Sequence, residues 1–189
     1  MWSWDVLSGG GNLDDRFVDV ARGAAGSLHA LGVLDFDYGA LPGQLMLVKY
    51  DTAGNMVWRR ANIVPGATQV TPMAVADDPL GNVIAVATFW DGTDRDMFVI
   101  KWSAAGAARW TAVKGSADPS LDDEATDVVT GKAGNVHVCG AMGSRSSAVV
   151  VKYDADDGLE KWTHYTSGNH ATESAQANSI AGDPPATCT

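Results

Sequence analysis

Short apolar runs separated by turn residues follow one another along most of the chain. In the middle of the sequence these runs, which we name A to D in order, cover about residues 72–76, 82–89, 97–102 and 108–113. Their length and their content of Val, Ile and Ala predict β-strands. Gly81-Asn82 and Ala105-Gly106 supply the residues that tight hairpin turns require. No stretch has the period of a long amphipathic helix, so the pattern predicts an all-β protein.

The same pattern returns along the chain in a fixed register. Tryptophans and glycines recur at intervals of 52 residues, namely Trp58, Trp110 and Trp162, and Gly54, Gly106 and Gly158. A lysine precedes an aromatic residue at Lys49, Lys101 and Lys152. Four antiparallel strands in about 50 residues, with a tryptophan in the outer strand, are typical of a β-propeller blade. We therefore interpret the chain as a series of four-stranded blades.

The register of the repeat predicts the organisation of the whole chain. We expect the outer strand of a preceding partial blade at 1–15 and three full blades at 16–64, 70–115 and 123–168. The inner strand of a following partial blade is expected at 173–182, and residues 183–189 form a tail. Closed propellers have four to eight blades, so three full blades predict an incomplete or oligomer-completed propeller. Further blades in cis, or copies of the chain in trans, are favoured over terminal strands that meet in a reduced fourth blade.

The recurring aromatic and basic residues have a structural and a functional interpretation. The tryptophans could form an aromatic platform for a sugar or a cation. Because a ligand site rarely needs one identical residue in every unit, we favour a structural role in which Trp58, Trp110 and Trp162 lock each blade to its neighbour. For the same reason Lys49, Lys101 and Lys152 are interpreted as edge charges rather than catalytic amines.

Composition and charge narrow the classes of partner. The chain has 189 residues, of which 46% are hydrophobic, and its 13 basic and 23 acidic residues give a net charge of −10. This charge disfavours nucleic acid and anionic membranes as partners. No apolar stretch approaches the length of a membrane span, and no secretory signal is present in this chain. Two cysteines, Cys139 and Cys188, exclude a disulfide-dense framework and leave a single bridge between them as an open alternative.

The loops that follow strands B and D carry the residues that differ between units. In a propeller these loops share one face, where we expect a ligand, and the candidates on it are Asp37, Tyr38, Trp90, Arg95, Arg145 and His170. Asp91, Asp94 and Asp96 are oxygen ligands in a short loop and make calcium a possible cofactor. The alternative is a solvated acidic turn, and no other cofactor is expected. The acidic cluster at 118–124 is interpreted as solubilising, with calcium or a basic partner as the alternatives.

The run from Val99 to Trp110, with Lys101-Trp102 inside it, resembles the repeat of the bacterial seven-bladed β-propeller (SBBP) family, as does the run from Val150 to Trp162. Residues 153–162 are also similar to the tryptophan-docking repeat of quinoprotein-like propellers. The resemblance to the first family implies a surface or secreted repeat protein without assigned chemistry. It also implies an extracellular, cell-surface or periplasmic location.

Two functions follow from these observations. The first is a non-enzymatic binding or assembly module, such as a surface scaffold or adhesion element with a protein or glycan ligand. The alternative is part of an enzyme propeller, quinoprotein-like or glycan-active, with its site on the face of the B–C and D–A loops. The sequence contains no Gly-x-Ser-x-Gly, phosphate-loop or dinucleotide motif, which favours the first.

Overall fold

The computed structural model describes residues 14–36, 44–167 and 174–181, and its regular structure is almost entirely β-strand. The twelve strands form three antiparallel sheets of four. Sheet 1 contains β1 (Asp14–Arg22), β2 (Leu28–Phe36), β3 (Gln44–Tyr50) and β4 (Met56–Asn62). Sheet 2 contains β5 (Gln69–Asp77), β6 (Val83–Trp90), β7 (Arg95–Trp102) and β8 (Ala108–Lys114). Sheet 3 contains β9 (Glu124–Thr130), β10 (Val136–Met142), β11 (Ser147–Tyr153) and β12 (Glu160–Ser167).

Each sheet is a meander in which strands follow one another in chain order. The turns between the third and fourth strands contain the repeated glycines, and Gly54, Gly106 and Gly158 have φ values of 84°, 81° and 72°. Glycine adopts this left-handed conformation without the steric cost that a β-carbon brings. The glycine spacing in the sequence therefore reflects a positive-φ position used in all three turns. The first two turns share one hydrogen-bond pattern, whereas the third is one residue longer, with the Asp154 amide donating to the carbonyl of Leu159. The predicted all-β fold of four-stranded antiparallel units is confirmed.

The three sheets stand side by side with their first strands innermost. Strand β1 contacts β5, and β5 contacts β9. Alternate residues of a strand face opposite neighbours: Phe98 and Ile100 of β7 join the core against sheet 1, whereas Met97 and Val99 join the core against sheet 3. This alternation explains why β7 is a continuous apolar run. The sheets do not close into a ring, and they form an incomplete, propeller-like array.

Two apolar cores hold the array together. The core between sheets 1 and 2 includes Leu31, Leu47, Val83 and Trp102, all of them at most 1% exposed. The core between sheets 2 and 3 includes Ile84, Val86, Val138 and Val151, all fully buried. Burial of one such side chain stabilises the fold by about 1.5–3 kcal/mol. Among the described residues, sheet 2 therefore packs against another sheet on both faces, and sheets 1 and 3 do so on one face each. A smaller cluster of Leu34, Met46 and Val48 is buried on the other face of sheet 1.

Residues 174–181 lie against the innermost strand of sheet 3 without forming a strand themselves. The Ile180 amide donates to Oδ2 of Asp127 in β9 at 2.9 Å. The Val75 amide of β5 donates in the same way to Oδ2 of Asp19 in β1, at 2.8 Å. The segment thus has the position relative to β9 that β5 has relative to β1. The outer strand predicted at 1–15 falls almost wholly outside the described residues.

Candidate functional site

The junctions between sheets are built around the repeated tryptophans. The indole N–H of Trp58 donates to the carbonyl of Ala104 at 3.3 Å, and that of Trp110 donates to the carbonyl of Ala155 at 3.2 Å. Each acceptor lies in the last hairpin turn of the next sheet. A β-carbon on Gly158 would lie only 2.5 Å from the Trp110 ring, so the turn glycine is also needed for this close contact. These tryptophans connect consecutive sheets.

The repeated lysines reach the same carbonyls. Nζ of Lys49 donates to Ala104 at 3.2 Å, and Nζ of Lys101 donates to Ala155 at 2.9 Å. Lys101 also forms a 2.8 Å ion pair with Asp78 and is 2% exposed. The interpretation of Lys101 as an edge charge is therefore wrong, because the sequence did not reveal that the next sheet covers it and that Asp78 neutralises it.

Sheet 3 presents the same residues, and no further sheet follows it among the described residues. Trp162 is 36% exposed, whereas Trp110 is 8% exposed. No residue of the described part of the chain accepts a hydrogen bond from the Trp162 indole or the Lys152 ammonium. His137 and His164 have rings 5.9 Å and 4.8 Å from Trp162. We call the surface formed by Lys152, Trp162 and His164 the open face of sheet 3.

On the predicted ligand face, Trp90 and Arg95 come together at the end of the β6–β7 hairpin. They are paired in register, and the Arg95 guanidinium lies 5.5 Å from the Trp90 ring centroid. Arg95 also forms a 2.8 Å ion pair with Asp122, whose other carboxylate oxygen accepts from the Arg95 amide at 3.0 Å. Because Arg95 is held by an aromatic ring and a carboxylate, it fixes the loop before β9 to sheet 2.

The other predicted ligand-face residues are not brought to this point by the described contacts. Arg145 forms an ion pair with Glu124 at 2.8 Å, within sheet 3. Asp37, Tyr38 and His170 lie outside the described residues, and their role stays a prediction. The structure therefore joins two of the six candidates, Trp90 and Arg95.

The three predicted calcium ligands have different environments. Oδ1 of Asp91 accepts backbone hydrogen bonds from Thr93 at 2.7 Å and Asp94 at 3.2 Å, as in a turn closed by an aspartate. Asp94 is buried, and burial together with the charges of neighbouring aspartates raises its pKa. Burial and the same kind of repulsion raise the pKa of Asp96 to about 6.

Within the described ranges, no three His, Cys, Asp or Glu side chains come close enough together to hold a metal ion. Calcium binding at Asp91, Asp94 and Asp96 stays a prediction. It is tested by the melting temperature in calcium against the same concentration of magnesium. A rise in calcium alone would support the prediction, and equal curves would contradict it.

Sequence reasoning missed several residues that organise the loops and junctions. Asp123 is fully buried and accepts backbone hydrogen bonds from Ser116 and from Gly143, the latter at 2.7 Å. The sequence predicts a solvated acidic cluster here, because nothing in the sequence distinguishes Asp123 from its neighbours. Asp19 and Asp127 could have been found, because both precede a valine at the same position of the repeat.

Comparisons with known proteins add the following. No family model matches the chain, and no curated protein matches it significantly. Among solved structures, the chain is similar to a protein of unknown function from Bacteroides caccae, with 15% sequence identity and a TM-score of 0.49. The match covers 82% of this chain and 47% of the other, so the chain spans about half the length of that protein. Among the described residues, no helix has the length and hydrophobicity to cross a membrane.

Proposed function

We propose that this chain is a non-enzymatic β-propeller repeat module that acts by assembly, as a scaffold to which further β-blades attach. The observation that carries this proposal is the open face of sheet 3. Trp162 and Lys152 occupy the positions at which Trp110 and Lys101 dock on the next sheet, and they are more exposed than these counterparts. A docking surface built twice inside the chain is thus presented a third time at its edge.

The segment 174–181 supports the same proposal. It already lies where the first strand of a following sheet would lie, through the Asp127–Ile180 hydrogen bond. Ser179 adds a second hydrogen bond to Asp127 at 2.9 Å. Among the described residues, no outer strands of such a sheet lie next to Trp162. The partner that fits is a set of β-strands of the same repeat, from a second copy of the chain or from further blades.

The test is the native mass of the chain by light scattering over a range of protein concentrations. We expect a mass of at least twice 19.7 kDa at high concentration. Trp162→Asp should return the chain to the monomer, because a carboxylate at a docking position is costly to bury. The matched control is Tyr165→Ala, which removes an exposed aromatic ring from the other face of the same strand. A monomer at every concentration, or equal effects of the two variants, would contradict self-assembly.

A surface or secreted location is part of the proposal and rests on the family resemblance alone. Fractionation of the producing cells, followed by detection of the chain in medium, envelope and cytoplasm, tests it. Recovery in the cytoplasm only would contradict this part and leave the assembly test unaffected.

A further inference from the structure

A pocket of about 220 Å³ opens between sheets 2 and 3, at the end of the sheets opposite to the predicted ligand face. It lies among the first turns of both sheets and the last turn of sheet 3. Its polar lining consists of Asp78, Asn82, Lys101, Arg109, Lys132 and Asp156. Neither the repeat pattern nor the loop comparison pointed to this group of residues.

The floor of the pocket is buried and rigid. Oδ1 of Asp78 accepts hydrogen bonds from the amides of Leu80 and Asn82, both at 2.9 Å. Its Oδ2 accepts from the Asn82 side chain at 2.7 Å and pairs with Lys101 at 2.8 Å. Burial alone would raise the pKa of Asp78, but the hydrogen bonds from Lys101 and Asn82 hold it below its usual value. Asp78 and Lys101 therefore remain a neutral pair of opposite charges.

The net positive charge of the pocket comes from its rim, because the charges of Asp78 and Lys101 in the floor cancel. Arg109 and Lys132 are exposed, and neither forms an ion pair with a described carboxylate. By contrast Arg95, Lys114, Arg145 and Lys161 each have an acidic partner. One carboxylate, Asp156, also lines the pocket. The rim thus has a net charge of about +1, whereas the whole chain has a net charge of −10. The local charge of the rim is therefore opposite in sign to that of the protein as a whole.

Apart from Lys101, the charged lining is not part of the repeat. At the junction between sheets 1 and 2, the positions of Asp78, Asn82, Arg109 and Lys132 hold Gly23, Ser27, Val57 and Pro79. That junction nevertheless has the same tryptophan and lysine contacts as the junction between sheets 2 and 3. Packing of one sheet on the next therefore does not require the charged residues, and they are available for another role.

The geometry points to a binding site for one small oxyanion, a carboxylate or phosphoryl group, held by Arg109 and Lys132 above the floor formed by Asn82 and Lys101. A guanidinium group binds such oxyanions through two parallel hydrogen bonds. The ammonium group of Lys101 has three hydrogens, of which Asp78 and Ala155 accept two. The third is therefore left for the ligand. The volume is below that of sites for drug-sized ligands, so the ligand is of monosaccharide size or smaller. This site is independent of the proposed assembly.

The test is isothermal titration of the full chain with inorganic phosphate and, separately, with glucuronate, at constant ionic strength maintained by chloride. We expect saturable binding of at least one of them to one site per chain. Arg109→Val should weaken it at least tenfold, and Lys132→Ala several-fold. Valine already stands at the position of Arg109 in sheet 1, and melting curves check that both variants fold. The matched control is Arg59→Val, which removes an exposed arginine of sheet 1 outside the pocket and should bind as the unmodified chain does.

Each outcome bears on the proposal. Saturation by phosphate alone identifies a phosphoryl ligand, saturation by glucuronate alone identifies a carboxylate ligand, and saturation by both supports the shared chemistry. Absence of saturable binding of both probes would overturn the proposed site. Equal weakening by Arg59→Val and Arg109→Val would also overturn it, because it would show a general effect of charge.

Discussion

The three repeated tryptophans have one chemical identity and different environments. Trp110 is buried between two sheets and its indole is hydrogen-bonded, whereas Trp162 is 36% exposed at the edge of the array. The contribution of each tryptophan to stability therefore depends on the neighbouring sheet and not on the repeat position. The same distinction separates Lys101, which is buried and paired with Asp78, from the half-buried Lys152.

Substitution of Trp110 and of Trp162 by alanine should distinguish a tryptophan buried between two sheets from one exposed at the edge of the array. Trp110→Ala should lower the free energy of unfolding by about 3–5 kcal/mol, because it leaves a cavity at the junction and removes one of the two hydrogen bonds to the Ala155 carbonyl. Trp162→Ala should lower it by about 1 kcal/mol, because less of the side chain is buried. Urea unfolding of the monomeric chain measures both values. Equal losses of unfolding free energy for the two variants would show that Trp162 is not exposed at the open face in solution.

Asp96 predicts a pH dependence of stability. Its pKa of about 6 in the folded chain lies above the usual 3.8, because of burial and neighbouring carboxylates. The folded state therefore holds this proton more tightly than the unfolded state, so its contribution is full below about pH 4 and is lost as the pH rises through 6. Asp96→Asn should stabilise the chain by about 1 kcal/mol at pH 7, a value reduced for solvent screening.

Thermal melts between pH 4 and pH 7 check this expectation. The difference between the Asp96→Asn variant and the unmodified chain should grow with pH and level off above 6. Asp118→Asn is a suitable control. Side-chain and backbone hydrogen bonds from Ser120 lower the pKa of Asp118, whereas that of Asp96 is raised. A constant difference across the range would mean that Asp96 does not titrate there.

At the scale of elements, connections between sheets depend on side chains that reach from one element to the backbone of the next. Asp19 of β1 binds the Val75 amide, and Asp127 of β9 binds the Ile180 amide. Between β5 and β9 the corresponding residue is Ala74, and apolar packing takes its place. The segment 174–181 is attached to sheet 3 by such contacts and by two backbone hydrogen bonds, from Ala175 to Arg145 at 2.7 Å and from Ala177 to Gly140 at 3.1 Å, without a strand ladder of its own.

Removal of the Asp127 carboxylate should release this segment. Asp127→Ala should speed hydrogen exchange of the Ile180 amide about tenfold, which corresponds to roughly 1.4 kcal/mol for a hydrogen bond to a charged group. The matched control is Asp19→Ala, which should speed exchange at Val75 and leave Ile180 unchanged. Unchanged exchange at Ile180 in the Asp127 variant would show that the segment is held by other contacts.

At the scale of the whole molecule, sheet 2 is packed between two other described sheets, whereas sheets 1 and 3 each pack against one. The other face of sheet 1 carries a smaller buried cluster of Leu34, Met46 and Val48. In stacked repeat proteins, stability is approximately a sum of unit and nearest-neighbour terms. The central sheet therefore has the largest number of stabilising interfaces.

Hydrogen exchange should follow this order along the chain. At protein concentrations where light scattering gives a monomer, amides of β6 and β7 should be the most protected, and those of β12 should exchange faster. Protection of β12 should rise at concentrations where the chain assembles. Uniform protection of all three sheets in the monomer would contradict the nearest-neighbour description.

The sequence alone determined the unit of this fold. The short apolar runs, the glycines of the last hairpin turns and the 52-residue spacing of Trp58, Trp110 and Trp162 express local physics. Strand faces and positive-φ turns depend on residues close together in the chain, so their pattern is visible without the structure. For the same reason the four-stranded antiparallel units and the incomplete array could be predicted.

Only the tertiary structure decided which side chains meet across the junctions. The pocket joins Lys101 to Asp78 and to the carbonyl of Ala155, and these residues belong to different sheets or distant turns. Burial of Asp123 and pairing of Arg95 with Asp122 likewise depend on how loops of successive sheets pack. Such contacts are set by the relative positions of whole sheets, which the local pattern of hydrophobic and polar residues does not encode.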